Sequence, residues 1–190
     1  MEEYTEVRWH GRAQQGIVTG AKVFAEAALA AGNNVQAFPE YGPERMGAPV
    51  AAYNRISKGL LTVHCAVVNP RVVAVVDATL IGAIDLLDGV PDNGIVIFNT
   101  NQTFDDIRKR IDTGKKDLYI VDATKISLET IGKPFPNTPM MGALAKVTGL
   151  VTLEDLLKVT KKTMGKKLAK EVVEGNLKAI ERGYKEVTKG

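Results

Sequence analysis

Residues 11 to 16 read Gly-Arg-Ala-Gln-Gln-Gly, between a short alternating segment and a run of good helix formers. Two glycines bracketing an arginine at a strand-to-helix turn suit phosphate capture. Backbone N–H groups and a helix N-terminus carry positive partial charge there, and Arg12 adds a permanently charged fork of donors. The pattern is a degenerate dinucleotide fingerprint. Ala13 stands where a close approach to a pyrophosphate needs glycine, and the acidic residue wanted after the second strand is represented only by Glu40, beyond a proline. The same turn also reads as a tight connection that binds nothing, and the residues alone leave both readings open.

His10, His64 and the single cysteine, Cys65, suggest a thiol nucleophile or a metal site. A strand through His64 and Cys65 would turn these neighbours to opposite faces, so Cys65 reads as a small buried hydrophobe on the side of Val63 and Val67. Asp77 and Asp122 each follow an apolar strand. That places them on the rim where α/β proteins hold ligands, but Asp-Ala-Thr in both places reads better as a cap for the next turn or helix. From Pro39 to Pro49, three prolines stiffen a loop carrying Glu40, Tyr41, Glu44, Arg45 and Met46. Such a loop serves either as a preorganised partner surface or as a rigid crossover packed on its own core. Lys158, Lys161, Lys162, Lys166, Lys167 and Lys170 read as a solvated face.

These residues are positioned by alternating elements. Thr5 to Trp9 predicts a strand, Ile17 to Ala31 a helix ended by Gly32-Asn33-Asn34, and Val35 to Phe38 a second strand. Val50 to Ile56 and Leu60 to Ala66, separated by Ser57-Lys58-Gly59, predict a hairpin. Repeated strand and helix follow: Val72 to Val76, helix Thr79 to Leu87, Gly94 to Phe98, helix Phe104 to Ile111, and Leu118 to Val121. Three helices close the chain: Met140 to Lys146, Leu153 to Thr163 after a cap at Thr152, and Leu168 to Val187. The fold class expected is α/β, a three-layer sandwich with a mostly parallel sheet, an inserted antiparallel hairpin and a helical C-terminus, in one domain spanning 1–190.

Composition narrows the function. The 190 residues are 45% hydrophobic and 25% charged, ordinary for a folded protein. The longest apolar run, Val72 to Val76, is far short of the about 20 residues that span a bilayer. No charged-then-apolar segment opens the chain, so a cytoplasmic protein without a membrane partner is expected. With 25 Lys and Arg against 22 Asp and Glu and one Trp, a nucleic-acid surface is not expected. One cysteine excludes a disulfide framework or a four-cysteine cluster within the chain.

Three stretches together, Val7-Arg8-Trp9-His10-Gly11-Arg12-Ala13-Gln14-Gln15-Gly16, Val35 through Pro49 with its Phe-Pro-Glu-Tyr-Gly-Pro-Glu-Arg-Met-Gly-Ala-Pro string, and Pro136-Asn137-Thr138-Pro139-Met140-Met141-Gly142-Ala143-Leu144, closely resemble the gamma subunits of pyruvate and other 2-oxoacid:ferredoxin oxidoreductases. Gln14 departs from the glycine usual before the glutamine of that family's turn. The resemblance implies an accessory subunit, inactive alone, in a complex that cleaves a 2-oxoacid, most simply pyruvate, with thiamine diphosphate, reduces ferredoxin and forms acyl-coenzyme A. Because this chain has one cysteine and no Gly-Asp-Gly segment, thiamine diphosphate, its Mg ion and the iron–sulfur clusters are expected in alpha, beta and delta type partner subunits. Coenzyme A would be a substrate of the complex, touched by Gly11, Arg12, Gln15, Gly16 and Lys22. Glu40, Tyr41, Glu44, Arg45 and Met46 would face partners. The alternative from the turn alone is a stand-alone Rossmann-like nucleotide-binding protein.

Overall fold

Alternation along strand β1 (Tyr4–Arg12) sends Val7 and Trp9 to one face and Arg8 and His10 to the other, yet all four are buried. The reason is that β1 lies inside the sheet. In the computed structural model, which describes residues 4–41 and 47–190, β1 is followed by helix α1 (Ile17–Ala30), strands β2 (Asn34–Tyr41), β3 (Pro49–Ser57), β4 (Val72–Val75) and β5 (Ile95–Asn99), and helix α2 (Phe104–Arg110). Strand β6 (Asp117–Val121), helices α3 (Ala123–Ile131), α4 (Asn137–Thr148), α5 (Leu153–Met164) and α6 (Lys170–Glu186), and a short β7 (Thr188–Lys189) complete it. The strands run in the order β2-β3-β1-β4-β5-β6-β7. Pairing from β1 through β6 on the β4 side is parallel, while β1–β3, β2–β3 and β6–β7 are antiparallel.

One face packs Trp9, Phe24, Met140, Met141, Leu144 and Ile180 into a core under α1 and α4 to α6. Trp9 meets Phe24 edge-on at 6.1 Å, and its indole N–H donates to Asn54 Oδ1 at 2.8 Å while Asn54 Nδ2 donates to the Ala21 carbonyl at 2.8 Å. Strand, strand and helix are thereby joined through a polar chain with its buried groups satisfied. The opposite face of β4 to β6 buries Val73, Val75, Val96, Phe98 and Leu118 with Leu80, Leu86 and Ile107. Helix α4 nearly touches α6: a Cβ on Gly183 would stand 2.0 Å from the Pro139 carbonyl oxygen. No helix among the described residues is long and apolar enough to cross a membrane.

The α/β class and the helical C-terminus agree with expectation, but four local readings change. The loop expected from Pro39 starts later, because β2 runs on through Pro39 and Glu40 to Tyr41 against Val50 to Ala52 of β3, and an edge strand tolerates a proline. The hairpin is made by β2 and β3, because β3 is already flanked by β2 and β1 and has no free edge for residues 60 to 66. That stretch is instead an irregular strap on which His64 and Cys65 are both exposed, so neither the strand alternation nor the buried Cys65 holds. The helix expected from Thr79 to Leu87 shrinks to one 3₁₀ turn, Ala78–Leu80, since Gly82 takes φ +84°, outside helical geometry. Helix α4 begins earlier than expected, with Pro139 in its first turn, where a missing N–H costs nothing.

The strap is fastened by Arg55, which is fully buried. Its Nε and Nη2 donate to Glu6 Oε1 at 2.8 and 2.6 Å, Nη1 donates to Gln36 Oε1 at 2.7 Å, and the Val63 and Cys65 carbonyls accept at 3.2 and 3.1 Å. Removing one partner of a buried pair strands the other. Arg55→Ala is therefore expected to lower unfolding stability in urea by about 3 to 5 kcal/mol. A loss under about 1 kcal/mol would show that the strap is held by something else.

Candidate functional site

Strands β1 and β4 run parallel and side by side, but their connections leave toward opposite faces: α1 follows β1 onto one core and the Ala78–Leu80 turn follows β4 onto the other. A crevice outside the carboxyl ends of such strands is where open α/β sheets take ligands. Here it measures about 730 Å³ and runs from Gln15 and Asp77 past Asn99 and Thr124 to Pro134 and Pro136.

At its β1 end the Gly11–Gly16 turn is locked rather than open. Gln15 Oε1 accepts from the Arg12 N–H at 2.7 Å and Gln15 Nε2 donates to Asp77 Oδ2 at 2.8 Å. The Arg12 guanidinium pairs with Asp77 at 3.3 Å, donates to Thr79 Oγ1 at 3.3 and 3.1 Å, and donates to the Gly47 carbonyl at 2.8 Å. Burial by itself would raise the Asp77 carboxyl. The hydrogen bonds from Thr79 and Gln15 and the Arg12 charge outweigh it and hold Asp77 below the usual carboxylate range. Gln14 takes φ +74°, the left-handed conformation for which glycine is better suited. Gly11 leaves room that Ile17 and Gln15 fill, since an added Cβ would lie 2.3 Å from Ile17 Cδ1.

Gly11, Arg12, Gln15 and Gly16 are thus brought together. Lys22 is not with them: it is exposed on α1 beside a separate apolar groove of about 370 Å³ between α1 and β2. Glu40 is exposed but accepts a very short hydrogen bond from the Tyr53 hydroxyl. Glu44, Arg45, Met46 and the Tyr41 side chain lie outside the described residues. Asp122 caps α3, accepting from the Lys125 N–H at 2.9 Å, as the Asp-Ala-Thr pattern implied. The lysines from Lys158 to Lys170 are all exposed.

Sequence reading missed Asn99, at the end of β5 on the same rim as Asp77 and Asp122. It donates to the Val76 carbonyl at 2.8 Å and accepts from the Thr124 N–H at 3.1 Å, tying three strand ends together. Its position, a polar residue closing an apolar strand, was the signal available. Among the described residues no group of His, Cys, Asp and Glu is arranged to hold a metal ion.

Residues 6–186 match the family model described as pyruvate ferredoxin/flavodoxin oxidoreductase. The chain is 48% identical over 186 residues to the pyruvate synthase subunit PorC of Thermotoga maritima, covering 98% of this chain and 96% of that one. To the common gamma subunit of the pyruvate/ketoisovalerate oxidoreductases of Pyrococcus furiosus it is 43% identical, covering 94% and 95%. The chain belongs to the pyruvate ferredoxin/flavodoxin oxidoreductase family, as a gamma-type subunit. The crystal structure of the Thermotoga maritima pyruvate oxidoreductase subunit superposes with a TM-score of 0.87 at 44% identity, covering 100% of this chain and 99% of that one. The fold recurs, at 19% identity and a TM-score of 0.77, as 31% of a chain of a 2-oxoglutarate:ferredoxin oxidoreductase from Magnetococcus marinus, with 96% of this chain covered.

In this gamma-type subunit His10, the one histidine near the turn, is unsuited to acid–base work at neutral pH. It is buried, its Nε2 has no partner among the described residues, and burial followed by the Arg8 charge pushes it down to about 4. A folded-state value below the unfolded 6.5 means that the unfolded chain binds the extra proton between the two. Stability is therefore intact above pH 6.5 and falls as the pH drops toward 4, by up to about 3 kcal/mol in all. Asp77, held low, contributes its own loss only at still lower pH. Urea midpoints measured across this range are expected to show the slope in the wild type and a flattened profile in His10→Gln. An equal slope in both would place the proton elsewhere.

Proposed function

We propose that this chain is the accessory gamma subunit of a complex that oxidises pyruvate, with thiamine diphosphate, to acetyl-coenzyme A and passes the electrons to ferredoxin. The observation that carries the reading is the full-length relationship, at 48% identity, to a pyruvate synthase subunit. The chain's composition agrees with a division of labour. One cysteine does not make a cluster site and the chain has no Gly-Asp-Gly segment, so the iron–sulfur centres, thiamine diphosphate and Mg fall to alpha, beta and delta type partners. The connection between the end of β2 at Tyr41 and the start of β3 at Pro49 is the proposed docking surface toward them, through Tyr41, Glu44, Arg45 and Met46. Glu40, bonded to Tyr53, acts there as a brace.

The test is reconstitution. The purified chain alone is expected to turn over no 2-oxoacid, and the complex assembled with its partner subunits to oxidise pyruvate. Turnover by the chain alone, or an active complex that omits it, would overturn the reading.

For this subunit's part in catalysis, the proposed role is a contact on coenzyme A at the Gly11–Gly16 turn. Arg12 keeps a third of its side chain exposed above its pairing with Asp77, which leaves an edge of the guanidinium for a phosphate. Such a contact, made equally in ground and transition states, raises KM when lost. Arg12→Ala in the complex is expected to raise the KM for coenzyme A about tenfold and leave that for pyruvate unchanged. An unchanged coenzyme A KM would leave Arg12 as a structural lock on Asp77.

A further inference from the structure

The polar face of β1 to β3 buries two arginines and treats them differently. Arg55 has the Glu6 carboxylate against it at 2.6 Å. Arg8 is only 6% exposed, yet among the described residues no carboxylate pairs with it. Its Nη2 donates to the Leu86 and Asp88 carbonyls at 3.0 and 2.8 Å, and its buried Nε N–H meets no acceptor. A guanidinium taken out of water is normally paired, because carbonyl dipoles return only part of the hydration that a full charge loses. Burial accordingly pushes Arg8 below its ordinary value, and attraction from Tyr53, Asp88, Asp85 and Glu40 makes up only part of the loss.

Arg8 is also part of the wall of a cavity of about 420 Å³. Strands β2 and β3 contribute Phe38, Pro39 and Tyr53 to it, and the strap with the residues after it contributes Ala66 and Val68. Glu40 lines the same cavity, but its carboxylate is engaged by the Tyr53 hydroxyl. Asp88 gives Arg8 its carbonyl rather than its carboxylate. The cavity thus holds a positive charge without a counterion among largely apolar walls.

We propose that this cavity receives an acidic side chain, Asp or Glu, from a partner subunit, whose carboxylate pairs with Arg8. Charge complementarity selects the occupant, since a buried guanidinium with an unused donor is completed by a carboxylate. Position selects its source, because Pro39 and Glu40 at the cavity lead straight into the connection from Tyr41 to Pro49. The proposal rests on the gamma-subunit reading for the existence of partners. A desolvated arginine seated in a pocket is also the kind of group on which binding energy concentrates.

Two measurements test it. In the full chain alone, the Arg8 Nε–H NMR signal is followed during titration with acetate, and with acetamide as the neutral control. A saturable shift is expected with acetate only. In the complex, the affinity of the chain for its partner subunits is compared for wild type, Arg8→Gln and Val68→Glu. Both variants are expected to weaken association at least about tenfold, the first by removing the charge and the second by supplying the cavity with a carboxylate of the chain's own. Val68 is mostly exposed, so Val68→Glu spares the fold, and its pairing with Arg8 is expected to raise the urea midpoint of the isolated chain. Unchanged association in both variants would overturn the proposal and leave the gamma-subunit reading standing. An acetate response together with unchanged association would make the cavity a site for a free small carboxylate, which also overturns the partner assignment. An Arg8 signal that acetate does not move would remove Arg8 as the carboxylate's contact and sink the proposal as well. Failure of the wild-type chain to join its partners would count against the gamma-subunit reading itself, and the proposal would fall with it.

Discussion

Asp77 stands just beyond the end of β4, where the turn leaving β1 passes over it, and its carboxylate accepts from Thr79 N, Thr79 Oγ1 and Gln15 Nε2 and pairs with the Arg12 guanidinium. Those bonds join the two connections that leave adjacent parallel strands toward opposite cores. A half-buried carboxylate with so many donors stays charged, and a charged carboxylate in turn keeps Arg12 and Gln15 in one geometry. The start of α1, the mouth of the crevice and the cap on the 3₁₀ turn after β4 are set by this one group. Gln15 completes the lock because both ends of its amide are used, one on the Arg12 N–H and one on Asp77.

The two halves of the sheet solve burial differently. On β4 to β6 both faces are covered by apolar packing, so their strands read as nearly continuous Val, Ile and Leu. On β1 to β3 the second face carries Glu6, Arg8, His10, Gln36, Tyr53 and Arg55, and what lies over it is the strap rather than a helix. A polar face under irregular backbone is self-consistent, because strap carbonyls without ladder partners accept from Arg55 and Gln36. The same face leaves His10 neutral and Arg8 spending its Nη2 donors on the Leu86 and Asp88 carbonyls. Neither lines the crevice at the carboxyl ends of the strands.

Much of this was legible in residue order. The α/β class, the helical C-terminus, the caps at Asp77, Asp122 and Thr152 and the strand-to-helix turn at Gly11 are local matters of periodicity, capping chemistry and glycine placement, and each appears at or near its expected position. The family, too, is carried by short strings, above all the proline-stiffened stretch from Phe38 to Pro49 and the run from Pro136 to Leu144. What misled was equally local. Leu60 to Ala66 has the composition of a strand, and composition does not reveal that both edges of β3 are already occupied.

Pairing across long separations was decided by the tertiary structure alone. That Arg12 meets an aspartate sixty-odd residues on depends on β1 and β4 being neighbours, and strand order is a property of the whole chain. The same holds for Asn137, an unremarkable residue between prolines in the sequence, which reaches the start of α1 only because α1 and α4 cover the same face. The sequence by itself determined which elements form and where their polar ends lie, since those follow from a few neighbouring residues. Which polar ends face one another was left to packing, because hydrophobic burial sets the relative placement of elements without regard to the distance between them along the chain.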